Sequence, residues 1–110
     1  MRILLISDNS LLKEKLLAYQ NQSRVEVGFA NSEIESIPIL ENYEFEMIFI
    51  EIKSYTDIDM IRNIEKNYDK SKVYLIINRK MKKINKILRE NDYNIIDQSF
   101  NQGRLSSVIN

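Results

Sequence analysis

The chemistry open to this chain is that of carboxyl, hydroxyl and amide side chains, because the sequence contains no cysteine and no histidine. Disulfides, thiolate metal sites and a cysteine nucleophile are excluded. The commonest general base and transition-metal ligand is missing as well. The polar groups that remain fall where short apolar runs end. Ser7 and Asp8 follow residues 2–6, Glu51 closes the run 45–52, Asn78 follows Val73–Ile77, and Asp97 and Gln98 follow residues 93–96. In an open α/β sheet, ligands lie at the carboxyl ends of the strands, beside the switch in strand order. These residues, with Ile77 at the end of its run, therefore frame the candidate site. A carboxyl at the end of a buried strand is partly desolvated and needs a donor. For Glu51, the Gln98 side chain and backbone N–H groups are expected to supply one. Asp8 could hold a cation or simply cap the helix that follows it, and Asp57 and Asp59 read as helix caps.

The elements that must position these groups alternate along the chain. Residues 2–7 form a nearly continuous apolar run, as expected for a strand buried on both faces. Asp8, Asn9 and Ser10 offer N-cap side chains, and Leu12, Leu16 and Tyr19 share one face of the helix they start. Val25, Val27 and Phe29 alternate with Glu26 and Gly28, the pattern of a strand with one drier face. Residues 31–35 could open a helix, but proline breaks a helix interior. The expected helix therefore starts near Ile37, with Pro38 in its first turn. Residues 45–52 are the third strand, followed by a helix carrying Met60, Ile61 and Ile64. Val73–Ile77 is the fourth strand. Met81, Ile84, Ile87 and Leu88 mark a fourth helix by their spacing. Residues 93–96 are the fifth strand, and Leu105, Val108 and Ile109 mark a short last helix, 102–109. Five successive βα units imply an α/β fold, with one parallel sheet covered by helices on both faces and joined by right-handed crossovers.

Composition narrows the function classes. Hydrophobic residues make up 44% of the chain and charged residues 29%, an ordinary globular balance. Lys and Arg number 16, as do Asp and Glu, which removes a bulk electrostatic case for nucleic acid or an anionic membrane. Gly28 and Gly103 are the only glycines, so neither a G-x-G-x-x-G turn nor a P-loop can form. The apolar runs are too short for a transmembrane span or a signal-peptide core, and a cytoplasmic location is expected. Charge is unevenly placed. Residues 26–51 hold seven acids and no base, and residues 79–89 hold six bases and no acid. The basic run reads first as the solvated face of the fourth helix, with Lys82, Lys83, Lys86 and Arg89 flanking its apolar stripe. It also suits an acidic partner.

In this order the runs resemble a two-component response-regulator receiver domain over nearly the whole chain. "RILLISDNSLLKEKL" is similar to the receiver opening, where an apolar strand ends in two acids. "FEMIFIEI" is similar to the third strand, which ends in the phosphoacceptor Asp, and "KVYLIIN" to the fourth, which ends in Thr or Ser. "NIIDQSF" matches the stretch that in receivers reads as two apolar residues followed by Lys-Pro-Phe. The resemblance implies a doubly wound, five-stranded parallel sheet of the flavodoxin-like (CheY-like) class, βα repeated five times. It also implies a pocket in which two acids hold Mg²⁺ against a phosphoryl group. At those positions this sequence departs from the family. Ser7 replaces one acid and only Asp8 remains. Glu51 stands for the acceptor, and its extra methylene ill suits in-line transfer. Gln98 replaces the Lys that pairs with the phosphoryl group, and Ser99 replaces the cis-proline. Ile77 replaces the sensing hydroxyl, with Asn78 as the alternative if the gap moves, and Ile95 replaces the switch aromatic. The loop after the third strand is short and lacks the family's Met-Pro and Asp-Gly. A Glu at position 51 also offers a standing mimic of a phosphorylated Asp.

The resemblance and its departures together lead to the expectation of a degenerate, non-phosphorylatable receiver-like domain spanning 1–110. It would be the regulatory part of a bacterial signalling or transcriptional regulator, whose output domain would lie beyond the short last helix. No catalytic residue, cofactor or metal is expected. The domain would bind a protein partner, or a second copy, through the face formed by the fourth helix, fifth strand and fifth helix. Lys82, Lys83, Lys86, Arg89, Tyr93, Asp97 and Arg104 would carry that contact, with Met81 and Tyr93 supplying apolar area. No membrane is involved, and nucleic acid would be reached only through a separate output domain. The alternatives are an unrelated flavodoxin-like small enzyme or ligand-binding domain, marked by a wide apolar pocket at the strand ends, and a stand-alone interaction module.

Overall fold

The apolar runs become strands and the helical-period stretches become helices, in strict alternation. A computed structural model describes residues 1–110. The order is β1 (Arg2–Ile6), α1 (Ser10–Gln22), β2 (Glu26–Ala30), α2 (Glu33–Asn42), β3 (Met47–Ile52), α3 (Asp57–Glu65), a single 3₁₀ turn (Lys70–Lys72), β4 (Val73–Ile77), α4 (Lys82–Glu90), β5 (Asn94–Asp97) and α5 (Gln102–Ile109). The strands form one sheet in the order β2-β1-β3-β4-β5, and every pairing is parallel. From β1 the chain moves outward to β2 and then crosses back to β3. The switch in strand order therefore lies between β1 and β3. No helix is long and apolar enough to cross a membrane.

The period-2 alternation of strand side chains sorts the core into two layers. Leu4, Ile6, Ile48, Ile50, Ile52, Leu75 and Ile77 join Ile61 and Ile64 of α3 and Ile84 and Leu88 of α4, with Ile39 and Leu40 of α2 at the margin. Ile3, Leu5, Phe49, Ile76 and Ile96 join Leu12 and Leu16 of α1 and Leu105 and Ile109 of α5. All six residues of β3 are buried, as a central strand covered on both faces must be.

Three local expectations are corrected. The second helix begins at Glu33, not near Ile37, and Pro38 lies in its interior. Ser32 accepts a hydrogen bond from the Glu35 amide at 3.2 Å, and the Glu35 carboxyl accepts one from the Asn31 amide at 2.7 Å. This start signal outweighs the proline, whose missing N–H deprives the carbonyl of Ile34 on the solvent side of the helix. Neither Asp57 nor Asp59 caps α3. Thr56 occupies the cap position with no capping bond from its side chain, which meets the Ser54 hydroxyl instead. Asp57 instead folds back on the preceding loop, accepting from the amides of Lys53 (2.7 Å) and Ser54 (3.2 Å), and Asp59 is exposed, 3.8 Å from Arg62. Ile87 is exposed and does not belong to the buried stripe of α4, which consists of Ile84 and Leu88.

Candidate functional site

Ser7 and Glu51 are brought together by strand register. Leu5 pairs with Phe49 and Ile6 with Ile50, so the next step along both strands sets Ser7 beside Glu51. Alternation turns both toward the face that carries α1. Both are buried, Glu51 being only 7% exposed. The Ser7 hydroxyl donates to Glu51 Oε1 at 2.7 Å, and the Asn9 side-chain amide donates to Oε2 at 3.3 Å. Ser7 Oγ in turn accepts from the Asn9 amide at 3.0 Å. Asn9 Oδ1 caps α1, accepting from the amides of Leu11 (2.9 Å) and Leu12 (3.3 Å). The start of α1 and the end of β3 are thus tied through one buried carboxyl.

The partners of Glu51 and of Asp8 differ from those expected. Glu51 takes its donors from Ser7 and Asn9 rather than from Gln98 or the backbone. Gln98 acts through its main chain, donating to the Ile77 carbonyl at 3.1 Å and accepting from Lys15 Nζ at 3.0 Å. The cap of α1 is Asn9, which leaves Asp8 free to turn outward, where it pairs with the Lys53 ammonium. That bond, and then the positive charge itself, holds the Asp8 carboxyl below its ordinary pKa. The same partner raises Lys53, with the charges of Glu51 and Asp57 adding to the effect. Lys53 was not anticipated as a site residue. The available signal was its place two residues past the strand-end Glu51, as the first base after the long acidic run.

A divalent cation of the kind the receiver resemblance implies does not fit this donor set. The Asp8 carboxyl is already bonded to an ammonium, and the Ser7 hydroxyl commits its proton to Glu51.

The remaining candidates separate from this cluster. Ile77 is fully buried in the core under α3 and α4, with Ile52 and Met60. Ile95 packs half-buried against the same core. Asp97 orders the loops after β4 and β5. It accepts from the Arg79 amide and the Ser99 amide, each at 3.0 Å, and from the Ser99 hydroxyl. The hydroxyl is the main reason its pKa is lowered. Tyr93 is also turned inward. Its hydroxyl donates to Glu65 at 3.1 Å, and the Lys70 ammonium lies 4.3 Å from its ring centre. Burial, then Glu65, raises its pKa. On the outer side of α4 and α5, Lys82, Lys83, Lys86, Arg89 and Arg104 are exposed. Of these only Lys86 has an acidic partner, Glu90 at 3.9 Å.

No protein-family model matches the chain, and no curated protein matches it. Solved structures do resemble it. A response regulator receiver domain from Clostridium thermocellum superposes with a TM-score of 0.78 at 22% identity, covering 98% of this chain and 90% of that one. The non-phosphorylated HemR receiver domain from Leptospira biflexa gives 0.77 at 18%, with 98% and 90% coverage. The signal receiver domain of an HD domain-containing protein from Pseudomonas fluorescens Pf-5 gives 0.80 at 14%, with 98% and 82% coverage. The fold is that of a receiver domain: five parallel strands in one sheet with five helices, in flavodoxin-like order.

Proposed function

We propose that this domain is a regulatory interaction module on a receiver fold, acting through protein contact and not through phosphoryl transfer. One observation carries the proposal. At the position where receivers keep a free acceptor carboxyl, both oxygens of Glu51 are engaged by Ser7 and Asn9, and the neighbouring Asp8 is held by the Lys53 ammonium. Transfer needs an accessible nucleophile and a cation bridging the phosphoryl oxygens, and this cluster supplies neither. A two-state switch needs a ligand that binds its states differently. Ile77 and Ile95, where receivers carry their sensing hydroxyl and aromatic, are stiff, apolar and packed. The contact face is therefore constitutive. We assign it to the outer side of α4 with β5 and α5, where Lys82, Lys83, Lys86 and Arg89 on α4 and Arg104 on α5 are exposed bases suited to an acidic protein partner. The place of such a module is the regulatory part of a bacterial signalling or transcriptional regulator.

Intact-mass measurement after incubation with acetyl phosphate and Mg²⁺ tests the proposal, on the wild type and on Glu51→Asp. No phosphoryl adduct is expected on either, because Glu51→Asp restores neither the second acid at Ser7 nor a Lys at Gln98. A stable adduct on either protein would overturn it.

A further inference from the structure

Part of each unbalanced charge run comes to lie on the same side of the sheet, Glu33 and Glu41 on α2 and the bases on α4. Between α2 and α3 runs a groove of about 780 Å³. Its rim carries four acids, Glu33, Glu41, Glu44 and Asp69, against one base, Lys72. None of these acids belongs to an ion pair. Apolar side chains lie open along it, with Ile37 48% and Tyr43 54% exposed. The outer side of α4 is the counterpart. Lys82, Lys83 and Arg89 have no acidic partner, and the exposed Ile87 lies on the same side as Lys83, one turn earlier. In the same copy α3 stands between the two surfaces, because the crossovers place α2, α3 and α4 side by side. They can meet only between copies.

We infer that the acidic partner of α4 is the α2–α3 groove of a second copy of this chain, in a head-to-tail contact. This rests on the proposed function and names its partner. Charge complementarity commits the groove to this occupant: unpaired acids face unpaired bases, and each surface carries exposed apolar side chains. Lengths agree, since α4 has 9 residues and α2 has 10. Equal numbers of acids and bases mean that copies carry no net repulsion. The contact joins two different surfaces, so it is heterologous. A head-to-tail pair keeps one free α4 on one copy and one free groove on the other, and association grows with concentration unless a ring closes.

Sedimentation velocity of the whole chain at tens of micromolar tests this. In low salt the wild type is expected to exceed dimer mass, and in half-molar sodium chloride to fall toward monomer, as screening weakens the charged contact. Lys83→Glu with Lys86→Glu spoils α4, and Ile37→Asp with Tyr43→Asp spoils the groove. All four side chains are exposed, and far-ultraviolet circular dichroism checks that both variants fold. Each variant alone is expected to be monomeric. Mixed in equal amounts they should form a one-to-one dimer, because one intact α4 meets one intact groove. A wild type that stops at a dimer, with the groove variant also dimeric, would mean two-fold pairing through α4; that overturns the head-to-tail contact while leaving the proposed function standing. A wild type monomeric in low salt, with no dimer in the mixture, overturns the inference as well. A phosphoryl adduct, measured separately, is what would sink the underlying function.

Discussion

Ser7→Ala removes the hydroxyl on which the candidate site turns, which donates to Glu51 and accepts from the Asn9 amide at 3.0 Å. The substitution removes the 2.7 Å hydrogen bond to Glu51 Oε1 and leaves the Asn9 contact at 3.3 Å as the sole side-chain donor to that carboxyl. Glu51 is 7% exposed, so water can replace the lost donor only in part. A buried polar group left short of a partner costs about 1–3 kcal/mol. For a domain of this size that is a fall in Tm of roughly 5–20 °C. The asymmetry of such losses sharpens the test. Replacing both partners by apolar groups of similar shape is nearly neutral. Ser7→Ala combined with Glu51→Leu should therefore be more stable than Ser7→Ala alone, with a coupling energy of about 1 kcal/mol or more. Guanidinium unfolding followed by circular dichroism on the four proteins closes the cycle. If Ser7→Ala stays within about 0.5 kcal/mol of wild type, the range of an ordinary surface change, Glu51 does not depend on Ser7 and the argument from the engaged carboxyl fails.

Two further outcomes follow from the local structure. Pro38→Ala should stabilise the chain by about 1–2 kcal/mol in chemical denaturation. It restores a backbone donor inside α2, where proline is about 3 kcal/mol less favourable than alanine, and the greater freedom of the unfolded chain offsets part of the gain. A loss of stability would show that the proline holds α2 in a shape its neighbours require. Asp97 is held below its ordinary value of 3.8, first by the Ser99 hydroxyl. A lowered carboxyl contributes stability above its unfolded pKa and loses it as pH falls through its folded pKa. Ser99→Ala should therefore flatten the acid limb of the stability profile below pH 3.8, with little change in the width of the unfolding transition. An unaltered acid limb would mean that Ser99 does not hold Asp97.

Fold and site differed in how far the sequence revealed them. The alternation of apolar runs with helical spacing located every strand and four of the five helices, because burial on both faces of a parallel sheet leaves little freedom in composition. Pro38 alone points to a later start for α2, but the paired capping by Ser32 and Glu35 fixes the helix earlier. Spacing alone puts Ile87 with the buried stripe of α4, but the extent of that stripe depends on what packs against it, and Ile87 is exposed. Ser7, Asp8 and Glu51 were legible as a group, because strand ends at a switch point converge. Their partners were not. Whether Glu51 would bond Asn9 or Gln98 depends on which face of β3 it takes and where α1 begins. That Lys53 would reach back to Asp8 is a property of the loop after β3, which carries no periodic signal.

The central claim is that Glu51, bonded by Ser7 and Asn9, and Asp8, paired with Lys53, do not take a phosphoryl group. Adding beryllofluoride and Mg²⁺ to the ¹⁵N-labelled domain, with amide shifts recorded by nuclear magnetic resonance, tests that claim most directly. The expected result is no saturable change at Ser7, Asp8, Asn9, Glu51 or Lys53, with at most weak, unsaturated drift at exposed acids. Saturable shifts clustered at those five residues and extending to Ile77 and Ile95 would contradict it, because they would show a pocket that opens to a phosphoryl mimic and a switch that answers it.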